Sequence, residues 1–334
     1  MSGLYASLNN SVKALTAQSR AIEITGKNLA NVNNASYARQ RVIFGDRGTV
    51  VTATGSESLG LEALGVQQLR DSLADRQLMR EIALRSSFES EQSAYQRAQA
   101  GLGQSIDRST AAGAADGVGG NGLSAAIDDF FNAFQSFAAR PTDTGERQTL
   151  LQKSAILTDS FQFADARIAQ VQTDLNAEIA NDVEEVNRLL STIADLNAQI
   201  GRFEVNSPGS AVDLRDQRQA KLEELSAKLP VEVRDIAGGQ VQIFAKEADG
   251  TEITLVDRAT VQGGVAFDGN QITAGSSATA VALGGGSLKG SLTARDGAIQ
   301  TLRNDLDQLA RQFVTAVNGA YNPTGATGDF FVTS

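Results

Sequence analysis

From Glu146 to Ile200 the chain carries neither glycine nor proline, the residues that most readily interrupt a helix. Asp143 followed by Glu146 supplies a capping-box-like start, and Asn206-Ser207-Pro208-Gly209 supplies a turn beyond the end. Within the run, Val186, Leu189, Ile193, Leu196 and Ile200 alternate steps of three and four, the spacing of a coiled-coil seam. A helix over 144–203 holds roughly sixty residues and, at ~1.5 Å each, extends roughly 90 Å. That is longer than a compact globular domain uses.

The same period places the other helices. Leu78, Ile82, Phe88, Tyr95, Leu102 and Ile106 predict a helix over 71–108, followed by a Gly/Ala-rich loop over 110–121. Leu123, Ile127, Phe130, Phe131, Phe134 and Phe137 line a helix over 123–139 that Arg140-Pro141 ends. Four of the chain's 14 phenylalanines fall within 130–137, so Phe130, Phe134 and Phe137 are expected in a buried core. Helices are also expected over 212–229 and 291–319. After Pro230 the period changes to two. Val231/Val233, Val241/Ile243, Ile253/Leu255 and Val265/Phe267 alternate between Gly-containing turns, the signature of hairpins. The expected fold is therefore mainly α with a small inserted β domain, a multidomain α+β chain with long coiled-coil-like helical rods. An N-terminal assembly helix occupies 1–30, and a helical rod domain occupies 31–229 plus 287–334. An extended, Asn-rich joint lies at 26–70, and the β domain is inserted at 230–286.

The first thirty residues are polar apart from a thin stripe. Leu8, Leu15, Ile22 and Leu29 recur every seven residues, and Leu4, Tyr5 and Val12 widen the stripe near its start. The companion positions Ser11, Gln18 and Thr25 are polar, so the stripe is narrow. It reads as one half of an interface with a partner helix; the plainer alternative is a helix lying on its own core. Without a partner, residues 1–30 are expected to be disordered or weakly helical in solution, because isolated helices are marginal in water.

Chemistry is constrained by what is missing. There is no His, which removes the usual metal ligand and the acid–base group that titrates near neutrality, and no Cys, which removes thiolate chemistry and disulfides. None of the seven lysines follows a serine at the spacing of a Ser–Lys dyad. Asp128-Asp129 and Glu184-Glu185 are helix neighbours that point about 100° apart, so neither makes a facing carboxylate pair. Asp213 and Asp216 share a helix face and read as a solvated first turn. Gly284-Gly285-Gly286 lacks the following Gly-Lys-Ser/Thr of a phosphate loop and reads as linker. No catalytic, metal or cofactor-binding residue is expected, and the chain reads as a non-enzyme. With 29 basic residues against 39 acidic ones, a net charge of −10 argues against nucleic acid and anionic membrane partners. The longest uncharged run, Gly269 to Leu288, contains five glycines and is no membrane span. The N-terminus lacks the pattern of a cleaved secretory signal.

The joint carries a resemblance. Lys27-Asn28-Leu29-Ala30-Asn31-Val32-Asn33-Asn34-Ala35-Ser36-Tyr37-Ala38-Arg39-Gln40 resembles the N-terminal motif shared by bacterial flagellar rod, hook and hook-associated proteins, through Asn28, Asn31 and Tyr37. It departs from that motif in having Ala35-Ser36 where Pro-Gly is common and Gly26 where Asn is common. The block 122–134, with Arg140-Pro141-Thr142 and Arg147-Gln148-Thr149-Leu150-Leu151, is similar to the hook-associated members. Asp213-Leu214-Arg215-Asp216-Gln217-Arg218 and Asp329-Phe330-Phe331 resemble their later segments.

The resemblance implies a structural subunit at the hook–filament junction, polymerising through its terminal helix in a ring of identical copies. It implies hook protein below, a second junction protein or the filament above, an export chaperone, and no cofactor. It further implies an extracellular address reached by type III export without a cleaved signal. The family's C-terminal helix returns to pair with the N-terminal one, and no such segment precedes Ser334, so a fragment or a truncated gene product is expected. A rod or hook subunit of the same family is the alternative, disfavoured by the Phe-rich block. An intracellular coiled-coil scaffold would explain the long helices but not the joint or the β insertion.

Overall fold

A computed structural model describes residues 2–34, 36–46, 48–52, 55–58, 60–101, 122–325 and 328–332. The chain forms two compact units, one of residues 1–86 and 182–286, the other of 87–181 and 287–334. Mainly helical structure with a small sheet region is the observed class.

The first unit begins with helix α1, Ser2–Ala30, which lies against the antiparallel pair β1, Gln40–Asp46, and β4, Leu61–Gln68. Between them β2, Thr49–Thr52, and β3, Gly55–Ser58, form a separate hairpin. Helix α2, Ser72–Gly101, starts here, its first turn capped by the Asp71 carboxylate, which accepts from the Leu73 N–H at 2.8 Å. The end of helix α4, Thr144–Phe203, and helix α5, Val212–Lys228, bring most of the apolar side chains. The expected seam of Val186, Leu189, Ile193, Leu196 and Ile200 is buried. Leu190 and Ala194 are buried as well, so this half of α4 presents a broad core face rather than a narrow seam.

The β region carries a meander in the order β5, Glu232–Asp235, β6, Val241–Lys246, β7, Glu252–Asp257, and β8, Thr260–Val261. Beside it stands a three-stranded sheet of β9, Val265–Phe267, β10, Ile272–Ala274, and β11, Thr279–Ala280. The expected Gly turns fall between strands, and Gly238, Gly239 and Gly250 adopt positive φ there. Strand β8 has no turn signal in the sequence, because its turn is made by Arg258 at φ 54°, a conformation with no glycine to announce it.

The second unit contains the rest of α2, helix α3, Leu123–Ala139, the first part of α4, and a C-terminal helical run. That run is α6, Gly286–Ala294, a π-helical turn, Arg295–Ile299, and α7, Gln300–Tyr321. It starts five residues before the expected position 291. Gly286 is therefore not linker: it has φ 85°, and a Cβ there would lie 2.3 Å from the Lys228 carbonyl oxygen, so only glycine fits. The expected helix 71–108 is seen to Gly101; 102–108 and the expected loop 110–121 lie outside the described residues. Asp143 caps α4 as expected, accepting from the Gly145 N–H at 2.8 Å. Glu146 does not complete a capping box and pairs with Arg140 at 2.7 Å.

Candidate functional site

Two features of the first unit stand out: the exposed stripe of α1 and the joint that fixes this helix to the body. Leu8, Leu15, Ile22 and Leu29 all point outward, between 62% and 74% exposed, and Tyr5, Val12 and Val32 extend the same apolar surface. The helix is not bare, however. Ala17 and Ile24, seven residues apart on another face, are buried. Because one is small and the other stands alone among polar neighbours, this second stripe is faint in the sequence.

The joint is built on Asn28. Its Oδ1 accepts from the Gln40 N–H at 2.9 Å and from the Tyr37 hydroxyl at 3.0 Å, while its Nδ2 donates to the Gln40 carbonyl at 2.8 Å. Asn31 does not enter this cluster. Its Nδ2 donates back to Lys27 O at 3.0 Å and its Oδ1 accepts from Asn34 at 3.3 Å, so it shapes the turn after α1.

Asp216 on α5 holds the next residues. It is buried and accepts from the Ala38 N–H at 3.2 Å, from Gln68 Nε2, and from Arg70 at 3.4 Å. Asp213 Oδ1 accepts from Gln40 Nε2 at 3.2 Å. The reading of Asp213 and Asp216 as a solvated first turn is corrected for Asp216, which is buried; Asp213 stays exposed, and both tie α5 to the joint across more than 140 positions of sequence. Spacing alone could not show this, because their partners are backbone groups and amides remote in sequence. Burial pushes the Asp216 carboxyl up, against the lowering pull of the Ala38 N–H and Arg70. Burial, with the charges of Asp213 and Asp216, also raises the Tyr37 phenol, which keeps it a neutral donor. Beside this cluster, burial acts to raise the Glu204 carboxyl, but the Arg215 fork at 2.6 and 2.8 Å and the Gly209 and Ala211 N–H groups more than offset it. The net shift is downward.

Phe130, Phe134 and Phe137 belong to the second unit. Phe130 is fully buried, with the Phe313 and Phe331 ring centres at 5.3 and 5.9 Å. Phe134 and Phe137 are only half-buried and pack at the cluster's edge, and Phe131 is 48% exposed. All three phenylalanines join one core cluster, Phe130 enclosed and the other two at its edge. Their burial falls off toward the end of α3, because the phenylalanines of 330–331 and Phe313 cover its middle turn. Asn318 fixes the 330–331 segment by accepting from the Phe331 N–H at 2.9 Å and donating to its carbonyl at 2.8 Å.

One carboxylate of each adjacent pair is engaged in an ion pair: Asp129 with Lys153 at 2.6 Å, and Glu185 with Arg188. Among the described residues no group of three or more potential ligands is placed to hold a metal, and no helix is long and apolar enough to cross a membrane.

Comparison with known proteins places this geometry. Residues 115–329 match the family described as the flagellar hook-associated protein FlgK helical domain. The chain is similar to flagellar hook-associated protein 1 of Escherichia coli (strain K12), 28% identical over 345 residues, covering 97% of this chain and 59% of the relative. It is also similar to the protein of that name in Bacillus subtilis (strain 168), 25% identical over 378 residues, covering 99% and 71%. The chain thus spans about three fifths of the length of the enterobacterial relatives it matches. In fold it is similar to the flagellar hook junction protein FlgK from Burkholderia pseudomallei, with a TM-score of 0.60 over 73% of this chain and 43% of that one, at 22% identity.

Proposed function

This chain belongs to the family of the flagellar hook-associated protein FlgK helical domain, and from that we propose that it is a structural subunit of the bacterial flagellum at the hook–filament junction. The observation that carries the reading is the stripe Leu8, Leu15, Ile22 and Leu29, exposed on a helix whose opposite face is anchored. Under this proposal, α1 pairs with a partner helix in the assembly and the Asn28–Tyr37 joint sets its direction. Residues 1–30 serve assembly, 31–229 with 287–334 form the helical body, and 230–286 form a mounted β domain. The partners are identical copies in a ring, hook protein below, a second junction protein or the filament above, and an export chaperone before assembly. The address is extracellular, reached without a cleaved signal. No catalytic role is assigned.

The test joins binding to stability. Burial of a leucine-sized side chain supplies ~1.5–3 kcal/mol, so Leu15→Asp with Ile22→Asp should weaken incorporation on isolated hooks by more than about tenfold. Both side chains are exposed, so the urea unfolding midpoint of the body should stay within about 0.5 kcal/mol of the parent chain. Normal incorporation by the double variant would remove the assembly role. A large loss of body stability would make the stripe ordinary core.

A further inference from the structure

The first unit holds a cavity of about 290 Å³ bordered by four guanidinium groups, those of Arg70, Arg76, Arg215 and Arg218, with the carboxylates of Asp75 and Asp235 also on its wall. The four arginines differ in how they are compensated. Arg70 is shared between Asp75 at 3.1 Å and Asp216 at 3.4 Å, and Arg215 is held as a fork by Glu204. Arg76 is exposed and has no hydrogen bond or ion pair among the described residues.

Arg218 is the unusual one. It is 6% exposed, yet only its Nη1 donates, and both acceptors are neutral: Asn197 Oδ1 at 2.9 Å and the Gly239 carbonyl at 2.8 Å. Nε and Nη2 donate to no protein atom among the described residues. Among those residues, Arg97 Nε is the one fully enclosed side-chain nitrogen or oxygen without a partner, so the free nitrogens of Arg218 keep contact with open space. The space this side chain lines is the cavity. A guanidinium taken out of bulk water with three of its five N–H donors unmatched is costly unless an acceptor arrives from outside.

We propose that this cavity binds one carboxylate, received edge-on by Arg218 with Arg76 closing over it at the rim. The two free nitrogens of a planar guanidinium edge match the two oxygens of a carboxylate. The charge balance selects the anion. Arg70 is shared by Asp75 and Asp216, Arg215 is held by Glu204, and Asp235 lies on the same wall, so the four arginines face four acids. The second charge of a phosphate dianion finds no cation to match it, whereas one carboxylate asks only for the free edge of Arg218. The carboxylate comes either from a free small acid or from the tip of an acidic side chain. The volume accommodates both. This site is independent of the stripe on α1, and its failure would leave the assembly reading untouched.

The experiment is calorimetric titration of the full 334-residue chain with sodium acetate, N-acetyl-glutamate methylamide and sodium phosphate, at constant ionic strength in chloride. Expected is saturable binding of one carboxylate per chain, with phosphate at least about tenfold weaker because its second charge is unmatched. Arg76→Ala, at an exposed position, should weaken binding severalfold without altering the circular dichroism spectrum. Arg218→Lys, which keeps the charge and loses the edge, should abolish it. Acetate without the glutamate probe identifies a free acid; both together identify side-chain capture as well. Heats that do not saturate, or affinities unchanged in Arg76→Ala, would overturn the proposal. Phosphate binding as tightly as acetate would overturn the choice of a carboxylate.

Discussion

An asparagine side chain carries the same donor and acceptor as a peptide unit, and this fold uses that equivalence repeatedly. Asn28 pairs with Gln40, Asn187 with Val265, Asn197 with Val241 and Asn318 with Phe331, each accepting from the N–H and donating to the C=O of one residue. A helix thereby binds a strand or loop without a strand partner of its own, and buried backbone groups are satisfied. Asn187→Asp replaces the donor facing the Val265 carbonyl with a charged acceptor. The expected loss is ~1–3 kcal/mol at pH 7, read from the urea midpoint. Protonation restores a donor, so the variant carboxyl is raised in the folded state; its deficit should shrink as pH falls toward 4 and grow as pH rises. Glu204 behaves oppositely. Its folded carboxyl is lowered, so its contribution is complete above the unfolded value of 4.5 and is lost as pH falls through the folded one. Glu204→Gln should cost ~1.5–3 kcal/mol at neutral pH and flatten the acid limb of the stability curve; an unchanged acid limb would mean the fork with Arg215 contributes nothing.

At the level of elements, the phenylalanine cluster separates two kinds of aromatic. Phe130→Ala should cost ~3–5 kcal/mol, because a fully enclosed ring leaves a cavity. Half-buried Phe134 already meets solvent, and its truncation should cost less than half as much; equal shifts in denaturant midpoint would contradict that distinction. Helices α3 and α4 are legible in the sequence over their whole lengths, because apolar periodicity, an Asp cap and flanking Pro agree. The β region is legible from its turns. The remaining features obey rules that carry no periodic signal. Gly286 is required by one carbonyl of α5, and Asp216 by one amide of the joint. Arg218, two residues on, reads in a one-dimensional pattern as another solvated charge, although it is the most buried arginine of that helix. The joint is legible in the sequence through Asn28 and Tyr37, but its geometry depends on Gln40, Gln68 and Asp213, ordinary polar residues until folding brings them together.

Taken as a whole molecule, the chain divides its apolar surface between what it buries itself and what it leaves for others, and α1 contains both kinds. Its second half is fixed by Ala17, Ile24 and Asn28, whereas none of the described side chains between Tyr5 and Thr16 is buried. A helix segment with no fully buried side chain, touching the body through little more than Asn10 at Gly60, depends largely on its own hydrogen bonds, and an isolated stretch of that length is marginal in water. Amide hydrogen exchange of the free chain should therefore show a gradient along one continuous helix. Residues up to about Thr16 should exchange with little protection, and residues from Ala17 to Ala30 should be protected by local opening energies tied to the body. The boundary refines the expectation that 1–30 is weakly helical throughout, since the buried pair and the Asn28 bonds stabilise the second half. Adding isolated hooks should extend protection to the first half, because a partner seam would then cover Leu8 and Leu15. Uniform protection along α1 in the free chain would mean that the helix needs no partner. No added protection on hooks would mean that its stripe is not the contact, and the assembly surface would have to be sought on the body instead.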